Sequence, residues 1–274
     1  MRGGRCAVRY PILLIHGTGF RDSGPVGYWG RIPDTLEREG ARVFLGGQES
    51  WATVEENGGM LLTRALEVLE ETGAEKLHLI AHSKGGLEAR WLAARPELAG
   101  RVASVTTVST PHHGSRTMDA IQSLPKFCLP LAGFFVNRWY RLLGEKNPDF
   151  LRVCGQFTTA WAEDFNRRTP DADGVFYRSY AGAMKGIFSD VFMWWEYLVI
   201  RLVEGENDGL VTVESARWTN FRGTWRGAGR RGVSHLDEVD FRRRSLCKKP
   251  KGEGVADMAE EYAAMVAELR DLGL

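Results

Sequence analysis

The chain has 274 residues, enough for one large domain, and 43% of them are hydrophobic, so a sizeable core can form. Its formal net charge is +1, which argues against a nucleic-acid partner or a strongly acidic one. No apolar run reaches the length of a membrane span, and the ten residues before Pro11 leave no room for the apolar region of a signal peptide, so the expectation is a chain made without one or already trimmed.

Short apolar runs alternate with helical patterns, which predicts a mostly parallel sheet with crossover helices on both faces. Pro11-Ile12-Leu13-Leu14-Ile15 reads as a buried strand and runs into His16-Gly17-Thr18-Gly19-Phe20. Residues 29–39 read as a helix stopping at Gly40, and residues 41–45 as a second strand. Residues 55–71 carry Leu61, Leu62, Ala65, Leu66 and Leu69 on one face and end at Gly73. Residues 76–81 form a strand, 87–94 a helix ended by Pro96, and 102–108 another strand. The alternation then fails between about 115 and 172. Residues 124–143 include Phe127, Phe134, Phe135, Trp139 and Tyr140, and predict apolar helices with no strand beside them. A second aromatic stretch covers 187–200, and residues 255–272 form an amphipathic C-terminal helix. The reading is a single domain over 1–274 with a helical cap, or lid, inserted at about 115–172 that presents apolar surface to a lipid-like substrate.

Cys6, Cys128, Cys154 and Cys247 are scattered without metal-ligand spacing; Cys128 and Cys154 read as small hydrophobes, and one disulfide stays open. The basic clusters Arg242-Arg243-Arg244 and Lys248-Lys249 read as a solvated loop.

The chemistry centres on Ala81-His82-Ser83-Lys84-Gly85-Gly86, where an apolar run ends at a serine and small residues follow. This is the pattern of a strand, a tight turn and a helix that presents a serine nucleophile. The turn brings strand and helix so close that the positions two before and two after the serine must be small, and Ala81 and Gly85 meet that demand. A serine nucleophile needs a base, and the base an orienting acid, in the order Ser, Asp or Glu, His. His78 lies within a strand, His82 flanks the serine, His16 ends the first strand, and His112 and His113 follow Pro111. His235 lies late in a polar loop and is the candidate base. Asp208, in the turn Asn207-Asp208-Gly209-Leu210-Val211, is favoured as the acid over Glu204, Glu206 and Asp190. Backbone amides of Thr18, in the glycine-rich loop, and of Lys84 are the candidate oxyanion donors, with the lysine side chain incidental.

Five motifs fall in one order: residues 11–17, Ala81 to Gly86, Thr110-Pro111-His112-His113-Gly114-Ser115, Asn207 to Val211, and His235-Leu236-Asp237-Glu238-Val239. With them the chain resembles the bacterial true lipases of the α/β-hydrolase fold, typified by Pseudomonas, Burkholderia and Proteus enzymes. The resemblance implies an α/β-hydrolase with Ser83, Asp208 and His235 as triad and Thr18 and Lys84 as oxyanion donors. It implies hydrolysis of carboxylic esters through an acyl-enzyme on medium or long acyl chains, with a lipid or small ester as partner, met in solution or at a lipid–water interface. A short-chain carboxylesterase, an acyltransferase or a polyester hydrolase would use the same triad. The chemistry requires no cofactor. Members of the family often hold a structural calcium, and the resemblance puts Asp237, with Asp190 nearest for the second ligand, at that site.

Overall fold

The computed structural model describes residues 4–22, 27–123, 128–248 and 253–274. Leu124 to Phe127 of the apolar stretch and Lys249 lie outside them. Among the described residues the strands are β1 (Ile12–Ile15), β2 (Val43–Leu45), β3 (Leu77–His82), β4 (Val102–Val108), β5 (Phe176–Gly182) and β6 (Phe221–Trp225). The helices are α1 (Ile32–Arg38), α2 (Val54–Thr72), α3 (Lys84–Ala93), α4 (Arg116–Gln122), α5 (Cys128–Leu142), α6 (Phe150–Gly155), α7 (Thr159–Arg168), α8 (Trp194–Val203), α9 (Val213–Ala216) and α10 (Met258–Asp271).

The strands form one sheet in the order β2-β1-β3-β4-β5-β6, and every pairing is parallel. A strand of apolar residues covered on both faces reads as a continuous hydrophobic run; β1, β3 and β4 are buried at every position. One face packs Ile12, Leu14 and Ile80 against Ile32 and Leu36 of α1 and Tyr262 and Val266 of α10. The other packs Leu13, Ile15 and Leu79 against Leu61 and Val68 of α2 and Ala89 and Leu92 of α3. Helix α2 starts at a capping box, with Glu56 N donating to Thr53 Oγ1 and Thr53 N donating to Glu56 Oε2, and ends at the left-handed Gly73.

From β1 the chain steps outward to β2, then returns to lay β3 on the other side of β1. This reversal of strand order opens a crevice at the carboxyl ends of β1 and β3, the usual place for a ligand in an open parallel sheet. The loops leaving those two strands carry Gly17-Thr18 and Ser83. Helices α4 to α7 lie between β4 and β5 with no strand among them, as the failed alternation predicts.

Helix α3 and strands β5 and β6 differ from the sequence reading. Helix α3 begins at Lys84, three residues before the expected start, because packing overrides the poor helix propensity of Gly85 and Gly86. Strands β5 and β6 were not anticipated: Arg178 sits fully buried within β5, and β6 is a short edge strand carrying Arg222 and Gly223. Cys6 and Cys154 are buried free thiols.

Candidate active site

Ser83 occupies the single residue between β3 and α3 with φ 57° and ψ −132°. A non-glycine residue in such a conformation stores about 1–3 kcal/mol, which the surroundings must hold. Ser83 N donates to Val108 O at 2.9 Å, and Gly86 N donates to Ser83 O at 3.0 Å. A Cβ at Gly85 would overlap the carbonyls of Ile15 and His16, and one at Gly86 would overlap Thr110. The glycines thus let α3 close onto the end of β1, and the demand for small neighbours is met in space as in sequence.

The other two triad candidates come together. His235 Nδ1 lies 2.7 Å from Asp208 Oδ2, and His235 N donates to Asp208 O at 2.9 Å. Asp208 Oδ1 accepts from Leu210 N and Val211 N, each at 2.8 Å, so its Asx turn fixes the carboxylate before the histidine meets it. Burial pushes the Asp208 carboxyl up, but His235 and the two amides more than offset this and hold it below its usual 3.8. Ser83 and His235 are each only 6% exposed, and His82, adjacent to Ser83, has its ring centroid 4.3 Å from that of His235. The competing acids are engaged elsewhere. Glu204 accepts from Ser115 Oγ and Thr117 N at the start of α4, Glu206 pairs with Arg226, and Asp190 pairs with Arg242. Two of the other histidines are held by buried polar partners away from this pair. His78 Nδ1 bonds Ser104 Oγ and burial pushes its pKa down to about 4; His112 is held between Thr107 Oγ1 and Arg90.

The glycine-rich loop lies directly against Ser83. A Cβ at Gly17 would sit 2.6 Å from Ser83 Cβ and 3.1 Å from its Oγ, so only glycine fits beside the serine. Thr18 follows, half-buried. The loop is anchored below: His16 Nδ1 lies 2.7 Å from Gly17 O, its Nε2 lies 3.0 Å from Gln48 O, and Gln48 Nε2 donates to His16 O at 2.9 Å. Here the expectation that the Lys84 side chain is incidental is corrected. It is fully buried, its Nζ donates to Ala52 O at 2.6 Å and pairs with Glu88 at 2.8 Å. Glu88 in turn accepts from Asn57 and Gln48. A buried cation–carboxylate pair with its remaining lone pairs satisfied ties α3, α2 and the loop after β1 into one rigid support.

Sequence reasoning missed a second buried network behind the serine. Tyr28 Oη lies 2.7 Å from His82 Nδ1, His82 Nε2 lies 2.8 Å from Glu238 Oε2, and Ser109 Oγ donates to Glu238 Oε1 at 2.8 Å. Glu238 Oε2 also lies 3.8 Å from His235 Nδ1. Burial, then the adjacent Asp208 carboxylate, pushes the Glu238 carboxyl well above its usual 4.5. Burial, then His235, pushes His82 well below 6.5. Two carboxyl groups beside one imidazole are thus pushed to opposite sides of their ordinary range, Asp208 toward the ionised form and Glu238 toward the protonated one. The only cue in the sequence is that Glu238 falls three residues after His235, and residue type alone does not reveal burial.

His82, His235 and Glu238 are also the one group among the described residues whose metal-capable atoms all lie within 4.8 Å of one another. These side chains are engaged with one another and with Tyr28 and Asp208. Asp190 and Asp237 do come together, but around a side chain. Arg242 Nη2 lies 2.8 Å from both carboxylate oxygens of Asp190, and its Nη1 lies 2.9 Å from Asp237 Oδ1. Arg231 Nη2 adds a bond of 2.7 Å to Asp237 Oδ2. Two carboxylates already matched by two guanidinium groups do not fit a calcium ion, which needs those oxygens itself. Arg242 is therefore not part of a solvated basic loop: its side chain is 18% exposed and both of its partners are buried.

Comparison with known proteins agrees with this architecture. A family model described as the alpha/beta hydrolase fold matches residues 10–194. A triacylglycerol lipase of Pseudarthrobacter phenanthrenivorans is 37% identical over 180 residues, covering 61% of this chain and 56% of that protein. With a Burkholderia plantarii triacylglycerol lipase matched over 49% of its length, the chain spans about half of these two relatives. A triacylglycerol lipase of Vibrio cholerae is 33% identical over 267 residues, covering 86% of this chain and 81% of that protein. The crystal structure of a mature Bacillus licheniformis lipase shares the fold, with a TM-score of 0.65 at 22% identity over 86% of this chain and 88% of that one. A nucleophile-elbow geometry at a parallel-sheet switch point, a family model covering most of the chain and a lipase matched over most of its length place this chain in the α/β-hydrolase family, on its bacterial-lipase branch.

Proposed function

We propose that the protein hydrolyses carboxylic esters through an acyl-enzyme on Ser83 and acts as a lipase on acylglycerols or other medium- and long-chain esters. The observation that carries this reading is the 2.7 Å buried Asp208–His235 pair, whose imidazole centroid lies 4.3 Å from that of His82, the residue before a serine held at φ 57°. His235 Nε2 takes the proton as Ser83 Oγ attacks the ester carbonyl carbon, and the imidazolium is stabilised by ionised Asp208. The amides of Thr18 and Lys84 receive the oxyanion. His235 returns its proton to the departing alcohol, the acyl group stays on Oγ, and a water activated by the same histidine releases the acid. No cofactor takes part in these steps.

The preference for long chains rests on the cap. Phe134, Phe135 and Trp139 of α5 are about 60% exposed, as is Trp195 of α8, and Phe188 and Phe192 just before α8 are more exposed still. The first group borders the glycine-rich loop, where Tyr140 Oη donates to Gly19 O at 2.5 Å. The second borders the acid loop, where a Cβ at Gly209 would sit 2.9 Å from Met193 Cβ. Two apolar aromatic surfaces flanking one crevice suit acyl chains or a lipid surface.

Ser83→Ala is expected to lower kcat/KM on p-nitrophenyl esters by at least ~10⁴-fold with the thermal transition unchanged. Retained activity in a clean preparation would refute the nucleophile. A rate series from acetate to palmitate esters tests the chain-length claim; a maximum at acetate with no gain on emulsions would instead identify a carboxylesterase for soluble esters.

A further inference from the structure

The geometry points to Arg242 as a covalently tethered cation that stands between Asp190 and Asp237 in place of a divalent ion and braces the loop bearing His235. Its guanidinium contacts three carboxylate oxygens on two segments far apart in sequence, one beside the exposed aromatic stretch before α8 and the other two residues after His235. Ser234, adjacent to His235, closes the cluster: its Oγ donates to Asp190 Oδ2 at 2.6 Å and accepts from Asp237 N at 3.2 Å. Both carboxylates are essentially unexposed, so they require a positive partner, and the Arg242 side chain, itself only 18% exposed, supplies it in a forked geometry. With Arg231 on Asp237 the cluster is charge-balanced. A calcium ion at the same carboxylate oxygens would meet guanidinium nitrogens already within hydrogen-bond distance of them, so the two cations exclude each other. The fold of this chain is accordingly independent of calcium. Removing the guanidinium frees three buried carboxylate oxygens, hard-oxygen donors of the kind calcium favours.

The test uses thermal unfolding of the full chain with chelator and with millimolar calcium chloride, which does not depend on the esterase reading. Wild type is expected to show the same Tm in both. Arg242→Ala is expected to lose roughly 5–15 °C in chelator, since a buried carboxylate is left without its partner. Calcium should restore part of that loss in a saturable way, and magnesium, which demands a stricter octahedral site, should restore less. Arg242→Lys, which keeps the charge without the fork, should have a Tm between those of wild type and Arg242→Ala and stay insensitive to calcium. A readout beyond stability, which does rest on the Ser83–His235 reading, is that Arg242→Ala lowers kcat with KM little changed and calcium recovers kcat. A wild type that loses Tm to chelator and regains it with calcium would overturn the proposal, as would an Arg242→Ala protein with an unaltered Tm or with no response to calcium. If Arg242→Ala does not fold, Arg242→Gln and the wild-type chelation series decide the question by the same criteria.

Discussion

The two carboxyl groups near His235 show how burial assigns different tasks to similar side chains. Asp208 accepts two backbone amides and faces the imidazole at 2.7 Å, so its charge is supported from several sides. Glu238 meets a neutral His82, a serine hydroxyl and the Asp208 charge, so ionising it would place a second anion in the same buried volume. Two outcomes follow. Asp208→Asn is expected to reduce kcat by about 10⁴-fold, because the amide cannot hold the imidazole in its working tautomer or support the imidazolium. Glu238→Gln keeps the uncharged form toward which burial pushes this carboxyl, in nearly the same shape, and is expected to stay within roughly tenfold of wild type. Steady-state rates for the two variants on one soluble ester check both; a collapse in Glu238→Gln comparable to that in Asp208→Asn would mean that Glu238 works as an anion. Ser83, Asp208 and His235 were legible because their backbone settings need particular neighbours, the glycines after the serine and the Asn-Asp-Gly turn. Glu238, Tyr28 and Arg242 were not, since their roles come mainly from partners about 50 to 160 residues away in sequence and no local pattern marks them.

At the scale of elements, the crevice depends on how closely three pieces of backbone approach one another: the end of β1, the turn at Ser83 and the start of α3. Gly17 and Gly85 are the contact points. Gly17→Ala would drive a methyl group against Ser83 Cβ and Tyr28 Oη. The expected result is a folded protein with activity lowered by 10²-fold or more, since a displacement of about 1 Å at the reacting atoms has that effect. Gly85→Ala meets carbonyl oxygens of β1 rather than a side chain, so backbone must move and the expected effect is on stability, roughly 2–4 kcal/mol. Activity and denaturant midpoints measured on both variants separate the cases; unchanged activity in Gly17→Ala would mean that the loop can withdraw from the serine. The strands that flank this crevice were readable because both faces are covered, which turns them into uninterrupted apolar runs. Strand β5 was not, because Arg178 interrupts it: the guanidinium is satisfied by Thr106 Oγ1 and Met265 O, partners that only the folded sheet and α10 supply. The cap was readable only as a region where alternation stops, and its exposed rings carry no period that fixes how they face the crevice.

For the whole molecule, the buried polar groups predict how stability changes with pH. Burial holds His78, His82 and His112 below their usual 6.5, so each stays neutral in the fold but takes up a proton in the unfolded chain below that pH. These three therefore stabilise the fold above pH 6.5, and that stability is lost as pH falls. Glu238 acts in the opposite sense: its raised pKa keeps a proton in the fold that the unfolded chain releases above 4.5, so its contribution declines as pH rises. Between pH 6.5 and 4.5 the three histidines outweigh Glu238 and Glu261, whose pKa burial also raises, so the unfolded state binds about one to two protons more than the fold and stability should fall by roughly 1–3 kcal/mol per pH unit on acidification. Chemical denaturation at a series of pH values reads this slope directly. His112→Gln, in a residue remote from Ser83 chemistry that bonds Thr107 and Arg90, should make the slope shallower by about one proton even if it lowers the overall stability. A flat profile over the window would mean that the interior hydrates readily enough to protonate these histidines in the fold. In that case the dry surroundings that separate Asp208 from Glu238 would be lost as well, and the two carboxyl groups would titrate together.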